Sequence, residues 1–354
     1  MAVAWESDSF TCRYQELQDS TVPLSAEVNR RMAEVVTVGT PTNRKESHIQ
    51  IQQRILEVGY AGLSDQDRTI VDVEVRDFMS ARNISDFNEG VRRWSSSPGR
   101  PQPLSGCDRT ELLAALRGTL ASPFTGTIGT WAEGSPSISK CLPEGVGIYR
   151  GFSTLYSAAI SVVGLSPTIR LGNSYIGTDK VEHFMTEGFD YYQKQLEGGS
   201  LEDILAIGRV EEDGLYGLAA SGIKSYGDLA SNYSGYLFWR SMTEGSNPYF
   251  RCSGDRWQQV RQFSWADYAD PTWDEAVNCS DYGSDSARRT VARNVMSLQR
   301  SHNAQPLGCP LDTGVCTRIH EIVPNATVRA QVVHPLCLSL SRPPTTGTAS
   351  ESAQ

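Results

Sequence analysis

A short stretch of the chain places carboxylates inside an apolar helical stripe. Between Ser200 and Met242 the sequence reads SLEDILAIGRVEEDGLYGLAASGIKSYGDLASNYSGYLFWRSM. Burying a carboxylate is unfavourable by several kcal/mol unless a partner or a proton relieves the charge. A carboxylic acid in apolar surroundings has a raised pKa and can donate its proton to a leaving oxygen. The stretch therefore predicts the acid site of an enzyme that cuts polysaccharide.

The predicted helix Leu201–Glu212 starts at a good N-cap and carries two acids at its far end. Ser200 can cap the helix, and Asp203 completes a capping box. At 100° per residue, Glu211 continues the apolar i, i+3, i+4, i+7 run and flanks the stripe, whereas Glu212 flanks its other edge. We predict Glu211 as the general acid and Glu212 as a supporting residue; the alternative is that both are solvated helix-end residues.

Two residues are candidates for the second carboxylate. Glu202 starts the same helix, so it lies roughly 13 Å from Glu211 if the helix is straight. Glycosidase carboxyl groups are usually roughly 5–9.5 Å apart, so this pair needs a bend or converging side chains. Asp228, four residues before Asn232 on the next predicted helix, is the other candidate. Its structural alternative is an acid stabilised by the helix dipole.

A rival site lies in the segment GTDKVEHFMTEGFDYY. On one helix Asp179, His183 and Glu187 share a face. Such a face could bind a divalent metal, which would suit a metal-dependent peptidoglycan amidase. The structural alternative is a buried His183 bonded to a neighbouring acid behind Glu211. The aromatic-rich region 232–282 suits either a helical core or a glycan groove, so a non-catalytic glycan-binding module is a third hypothesis.

These residues must be positioned by a mainly α fold, α+β with little strand. We predict an N-terminal helical region over residues 1–100, a catalytic domain over 101–338 and a disordered tail over 339–354. The segment 325–338 has strand-like content. Helical patterns cover Ser25–Val36, Glu46–Val58, Asp65–Arg82, Thr110–Leu120, Val181–Leu196, Leu201–Glu212, Tyr226–Met242, Trp273–Asn278 and Ser284–Ser301.

Charge and cysteine content restrict the function classes. The 354-residue chain has a formal net charge of -9 and no polybasic run, which argues against nucleic acid and against unaided attraction to anionic surfaces. No apolar run is long enough for a membrane span. Eight cysteines indicate disulfides. The candidate pairs are Cys309–Cys316 in CPLDTGVC, Cys252–Cys279 and Cys107–Cys141; a cytosolic protein with free cysteines is the alternative.

The N-terminal residues MAVAWESDSFTCRYQEL show no signal-peptide pattern. Because the cysteines favour an oxidising destination, we expect either export without a signal peptide or a piece of a longer protein.

The acid stretch also carries a family resemblance. AIGRVEEDGLYGLAASGIKSYGDL resembles the signature of lysozyme-like transglycosylases, in which a catalytic Glu ends a helix reading AI-x-R-x-E. Glu211 takes that position, and Glu212 stands where the signature has Ser. NYSGYLFW is similar to the Asn and Gly-Tyr-Leu region of those domains. The wider chain resembles the C-terminal lysozyme (muramidase) domain of TseP-like type VI secretion effectors.

This resemblance implies a muramidase that cleaves the β-1,4 bond between N-acetylmuramic acid and N-acetylglucosamine. It implies Glu211 and Glu202 as the catalytic pair, and Glu212, Asp228 and His183 are candidates for supporting or substrate-binding roles. No cofactor and no metal are expected. The partners would be peptidoglycan glycan strands and a cognate immunity protein. The protein would be secreted without a signal peptide and act in the periplasm of a target bacterium, by hydrolysis or by transglycosylation.

Overall fold

The computed structural model describes residues 6–37, 55, 58–64, 68, 71–72, 75–76, 79, 84–95, 104, 106–121, 128–152, 164–214, 217–219, 221–305 and 307–341. Over these residues the fold is mainly helical, which confirms the predicted class. The helices described are α1 (Ser9–Cys12), α2 (Thr21–Thr37), α3 (Phe87–Ser95), α4 (Arg109–Leu120), α5 (Ile128–Gly134), α6 (Thr178–Met185), α7 (Glu187–Leu196), α8 (Leu201–Asp213), α9 (Tyr226–Arg240), α10 (Asp285–Ser301), α11 (Thr313–Thr317), α12 (Ile319–Ile322), α13 (Ala326–Val332) and α14 (Pro335–Leu340).

Short antiparallel strands join these helices. A three-stranded sheet has the order β1 (Lys140–Cys141), β2 (Thr168–Leu171), β3 (Ser174–Gly177), and its last strand leads directly into α6. Two further pairs are β4 (Ile223–Ser225) with β7 (Ser280–Tyr282) and β5 (Phe250–Ser253) with β6 (Arg256–Gln259). In the first of these pairs Ser225 lies opposite Ser280, which fixes the start of α9.

The main core is aromatic and packs α6, α7 and α9 together. Phe184 of α6 contacts the rings of Phe238, Trp265 and Trp273. Trp265 and Trp273 are fully buried. Most of the aromatic residues predicted to form either a core or a glycan groove therefore belong to the core.

Two glycines allow α7 and α9 to pack closely. A Cβ on Gly188 would lie 2.6 Å from the backbone of Gly235, and a Cβ on Gly235 would overlap the carbonyl oxygen of Phe184. Any larger side chain would push the helices apart. This close packing sets the positions of Glu187 on α7 and Asp228 on α9.

Several helix predictions are confirmed, and α8 follows its prediction closely. Ser200 and Asp203 form the predicted capping box, and Gly214 terminates the helix. The predicted helix Val181–Leu196 is instead two helices that meet at Thr186. Thr186 is β-branched and Gly188 follows within the first turn of α7, and both residue types favour helix less than their neighbours do.

Two other predictions of secondary structure are wrong. The segment predicted as helix Trp273–Asn278 instead holds the end of a 3₁₀ turn (Pro271–Trp273) and further turns, because the Asp274 carboxylate accepts backbone N–H bonds from Tyr175 and Ala276. The strand-like segment 325–338 forms helices α13 and α14. Their caps outweigh the β-branched content, since Asn325 caps one helix and Pro335 occupies the first turn of the other.

The N-terminal region packs in two places. Leu24 and Val28 of α2 lie in the main core with Leu116 of α4, whereas Val75 and Trp94 belong to a separate small cluster. The predicted boundary near residue 100 stays a prediction. Most of the predicted helices Glu46–Val58 and Asp65–Arg82, and the tail from residue 342, lie outside the described residues.

The disulfide prediction is confirmed, but the predicted pairs are wrong. The bonds are Cys12–Cys141, Cys107–Cys252, Cys279–Cys309 and Cys316–Cys337, and no cysteine is free. The Leu311 amide donates to the Ala276 carbonyl at 2.7 Å, which lays the chain around Cys309 beside Cys279 rather than beside Cys316. Among the helices described, none combines the length and the apolar character that crossing a membrane requires.

Candidate functional site

A fully buried lysine is the centre of the charged side chains around α6 and α9. The Lys180 ammonium lies 2.7 Å from Asp179 Oδ2, 2.6 Å from Asp228 Oδ1 and 2.9 Å from Glu275 Oε1. Burial alone would lower the pKa of Lys180, but the three carboxylates together raise it well above its usual value. Lys180 is therefore a permanent cation inside the protein.

The carboxylates around Lys180 come from separate parts of the chain. Asp179 follows strand β3 in the first turn of α6, Asp228 lies in the first turn of α9, and Glu275 lies in the loop after the 3₁₀ turn. Ser225 caps α9 and also donates to Glu275 at 2.7 Å. Ser7 donates to the other oxygen of Glu275 at 3.1 Å. The cluster thus joins the N-terminal segment, two helices and a loop.

One turn along α6, His183 extends this network. Its Nε2 lies 3.3 Å from Asp228 Oδ2, and its Nδ1 lies 3.0 Å from Asn232 Oδ1. Burial opposes a charge on His183, but the Asp228 and Glu187 carboxylates raise its pKa well above the usual range. Burial likewise opposes ionisation of Asp228, yet the cations His183 and Lys180 hold its pKa below the usual value. The raised pKa favours an imidazolium at His183, which donates from Nε2 to Asp228 Oδ2 and from Nδ1 to Asn232 Oδ1.

Two buried acids next to the network have raised pKa values. Glu212 accepts the Ser225 amide at 2.9 Å, and burial together with the Asp228 charge raises its pKa well above the usual range. Burial and the charges of Glu275 and Asp228 raise the pKa of Glu6 to about 8, and its Oε1 accepts the Ser221 hydroxyl at 2.5 Å. Burial thus disfavours a further negative charge on either acid.

His183, Glu212 and Asp228 form the group within the described ranges that could hold a metal ion. One ligand atom from each lies within 4.8 Å of the others, and all three residues are buried. Each of the three already has a protein partner. His183 is hydrogen-bonded to Asn232, Glu212 accepts the Ser225 amide, and Asp228 forms an ion pair with Lys180. The donors fit an internal charge network better than a metal centre.

The residues of the rival site do not form one set of ligands. Asp179 accepts the Ser166 hydroxyl at 2.8 Å and pairs with Lys180. Glu187 Oε2 lies 3.8 Å from His183 Nδ1. His183 is bonded to Asp228, which matches the structural alternative predicted for it.

A pair of carboxyl groups, Glu187 and Glu211, lies outward from His183. Glu187 begins α7, its side chain is 24% exposed, and its Oε2 has no hydrogen-bond partner among the described residues. Burial raises its pKa to about 7, with the charge of Glu211 adding to the increase and that of His183 opposing it. Glu211 is half-buried in the last turn of α8, and burial raises its pKa against the His183 charge. The pair is partly accessible, and Glu187 with its pKa of about 7 can exchange its proton near neutral pH.

The structure does not bring Glu202 to Glu211. Glu202 is exposed in the first turn of α8, which is continuous from Leu201 to Asp213. The two side chains therefore start roughly 13 Å apart along an unbent helix. Helix α8 is continuous and lacks the bend that this predicted pair requires. The charge of Glu211 instead raises the pKa of Glu187, which lies on the adjacent helix α7.

Sequence reasoning missed three members of the network: Lys180, Glu275 and Glu6. Lys180 could have been found, because it lies one turn before the buried Phe184 and so on the inward face of α6. Glu275 and Glu6 lie in irregular segments, where no periodicity indicates which side chains point inward.

Comparison with models of protein families, with curated proteins and with solved structures finds no match to this chain. The likeness of the α8 motif to lysozyme-like transglycosylases therefore stays a prediction from the sequence. The functional argument rests on the contacts and charges described above.

We predict that Lys180→Met is strongly destabilising. Removing the ammonium leaves Asp179, Asp228 and Glu275 buried without their cation, so unfolding in urea should show a loss of roughly 3–5 kcal/mol or no folded protein. The matched control is Lys224→Met, since Lys224 pairs with the exposed Asp213 and should lose less than about 1 kcal/mol. Equal losses in the two variants would contradict a central role for Lys180.

We also predict that Glu6 makes the protein less stable as pH rises. The folded-state pKa of about 8 exceeds the usual 4.5, so the contribution of Glu6 is complete below pH 4.5 and is lost as pH rises through 8. Glu6→Gln removes this contribution, so its Tm should fall less than that of the wild type between about pH 5 and 9. Glu16→Gln, an exposed control, should keep the wild-type slope. An unchanged slope in Glu6→Gln would contradict the prediction.

Proposed function

We propose that the chain is a peptidoglycan hydrolase of the muramidase type. It would cleave the β-1,4 bond between N-acetylmuramic acid and N-acetylglucosamine. The observation that carries this proposal is the pair Glu187 and Glu211: two partly accessible carboxyl groups on the packed helices α7 and α8, beside the buried His183, which lies 3.8 Å from Glu187. Burial raises the pKa of both groups. Glycoside hydrolysis needs one carboxyl group that donates a proton and one that is ionised.

The charges assign a role to each member of the pair. Burial and the charge of Glu211 both raise the pKa of Glu187, to about 7, so we assign the proton to Glu187 and the negative charge to Glu211. Glu187 would donate this proton to the bridging oxygen through the exposed part of its side chain, which is 24% exposed, whereas its buried Oε2 faces His183. Glu211 would orient water or stabilise positive charge on the sugar. This reverses the acid role predicted for Glu211 from the sequence.

The charge of His183 acts on both Glu187 and Glu211. Its positive charge lowers the pKa of both Glu187 and Glu211, and so it opposes the neutralising effect of burial on each of them. Asp228 and Asn232 hold the ring in place, and Lys180 holds Asp228. A charge fixed before substrate binds needs no reorganisation during the reaction. His183 and Asp228 thus take the supporting roles proposed for them, and Glu212 bonds the strand that leads into α9.

The wider biological role is part of the same proposal. Four disulfides suit an oxidising compartment such as the periplasm, where peptidoglycan is accessible. An enzyme delivered into a competitor's periplasm would act as an antibacterial effector. Its producer would then need a cognate immunity protein.

A metal-dependent peptidoglycan amidase is the second candidate. The observation in its favour is the buried group His183, Glu212 and Asp228, whose ligand atoms lie within 4.8 Å of one another. This candidate requires activity to disappear with a chelator and to return with zinc. The carboxyl-pair proposal requires activity to be unchanged by the chelator.

We predict that Glu187→Gln and Glu211→Gln each reduce the release of soluble fragments from dye-labelled peptidoglycan by about 100-fold or more, as expected for loss of acid–base catalysis. The amide keeps the size of the side chain, so the Tm should change little. Glu202→Gln is the matched control, because Glu202 is exposed on the same helix as Glu211 and should keep the wild-type rate. A fully active Glu187→Gln variant, or an inactive Glu202→Gln variant, would refute the assigned pair.

We further predict that the rate falls as pH rises through about 7. Above this pH the proton leaves Glu187 and no donor remains for the bridging oxygen. Initial rates measured across pH on the same labelled substrate test this expectation. A rate that stays constant from about pH 6 to pH 9 would show that Glu187 is not the acid.

A further inference from the structure

Helix α10 is basic in an otherwise acidic protein. The chain has a formal net charge of -9, yet α10 carries Arg288, Arg289, Arg293 and Arg300 against a single acid, Asp285. All four arginines are exposed. A net charge for the whole chain therefore conceals a local concentration of cations.

Three of these side chains form one surface, which we call the arginine face: Arg289, Arg293 and Arg300. At 100° per residue they fall within an arc of about 40°, and they extend over roughly 16 Å of the helix. The opposite side of α10 is apolar and buried, with Val291 and Val295 in the protein core. The arginine face is therefore the part of α10 that points most directly into solvent.

The arginine face has no internal partner in the described structure. Asp285 pairs with Arg288 at 2.7 Å, and no carboxylate of the described residues forms an ion pair with the other three arginines. A further exposed arginine, Arg150, lies beside α10, since its carbonyl oxygen accepts the Asn294 side chain at 2.7 Å. Guanidinium groups bind carboxylates through paired hydrogen bonds, so this surface is suited to a ligand with several carboxylates.

The arginine face is firmly connected to the candidate site. The buried side of α10 packs in one cluster with Ile148, Tyr149 and Ile223. Ile223 begins β4, and the last residue of β4 is Ser225, whose amide bonds Glu212. A polymer held on the arginine face would therefore keep a fixed relation to the candidate site.

We propose that the arginine face is a docking surface for the carboxylates of peptidoglycan, which are borne by its stem peptides. The inference rests on the proposed function, because it names a second point of contact with the same polymer. Salt screens charges beyond about 10 Å at 0.1 M, so a bound carboxylate senses the nearby arginines more than the distant acids of the protein. Attraction to this anionic polymer thus follows from where the charges lie, whereas the net charge alone predicts none.

Sedimentation of the full chain with purified sacculi tests the proposal. The variant Arg289→Gln/Arg293→Gln/Arg300→Gln should bind about tenfold more weakly at low salt, as three exposed ion pairs would allow. The control Arg251→Gln/Arg256→Gln/Arg318→Gln removes the same charge from exposed positions elsewhere and should bind as the wild type does. Wild-type binding by the first variant, or an equal loss in the control, overturns the proposal.

Two further measurements separate this proposal from the proposed function. Sacculi whose carboxyl groups have been amidated should bind the wild-type protein about tenfold more weakly, to the level of the arginine variant. Hydrolysis of uncharged chitooligosaccharides should be unchanged in the arginine variant, and its loss there would overturn a separate docking role. Sacculus binding without hydrolysis of any glycan would refute the proposed function while supporting the docking surface.

Discussion

The buried Lys180 ammonium is the interaction on which the rest of the site depends. It holds carboxylates from the start of α6, from the start of α9 and from the loop at Glu275. An isolated charge of either sign would be strongly disfavoured in this interior, but the ammonium and the carboxylates stabilise one another. Ser7 and Ser225 bond the same Glu275, so the N-terminal segment and the cap of α9 are fixed by one ionic centre.

From this centre the charges alternate outward to the surface. Lys180 stabilises the ionised Asp228, Asp228 stabilises the cationic His183, and His183 acts on the carboxyl pair. Lys180, Asp228 and His183 are buried away from water, so each charge acts on its neighbour with little screening. The outermost acids, Glu187 and Glu211, are partly accessible to solvent. The buried ion network thus ends at two partly accessible carboxyl groups.

Local sequence signals predicted local structure well. The capping box at Ser200 and the spacing of apolar residues predicted α8 and the half-buried position of Glu211. Contacts between distant segments leave no such pattern in the sequence. Glu275 and Lys180 are 95 residues apart. The disulfides likewise join cysteines that are far apart in the sequence, so local spacing predicts the wrong pairs. Sequence spacing compares residues within one helix and therefore groups Glu187 with Asp179 and His183, whereas Glu187 and Glu211 lie on two packed helices.

The measurement that tests the central claim most directly is the chemical identity of the products. Purified peptidoglycan is digested with the protein, and the soluble fragments are analysed by mass spectrometry. Hydrolysis by a carboxyl pair predicts disaccharide-peptides that end in reducing N-acetylmuramic acid. Anhydro-sugar ends would contradict the two-carboxyl mechanism, and free stem peptides released from intact glycan strands would contradict cleavage of the glycosidic bond altogether.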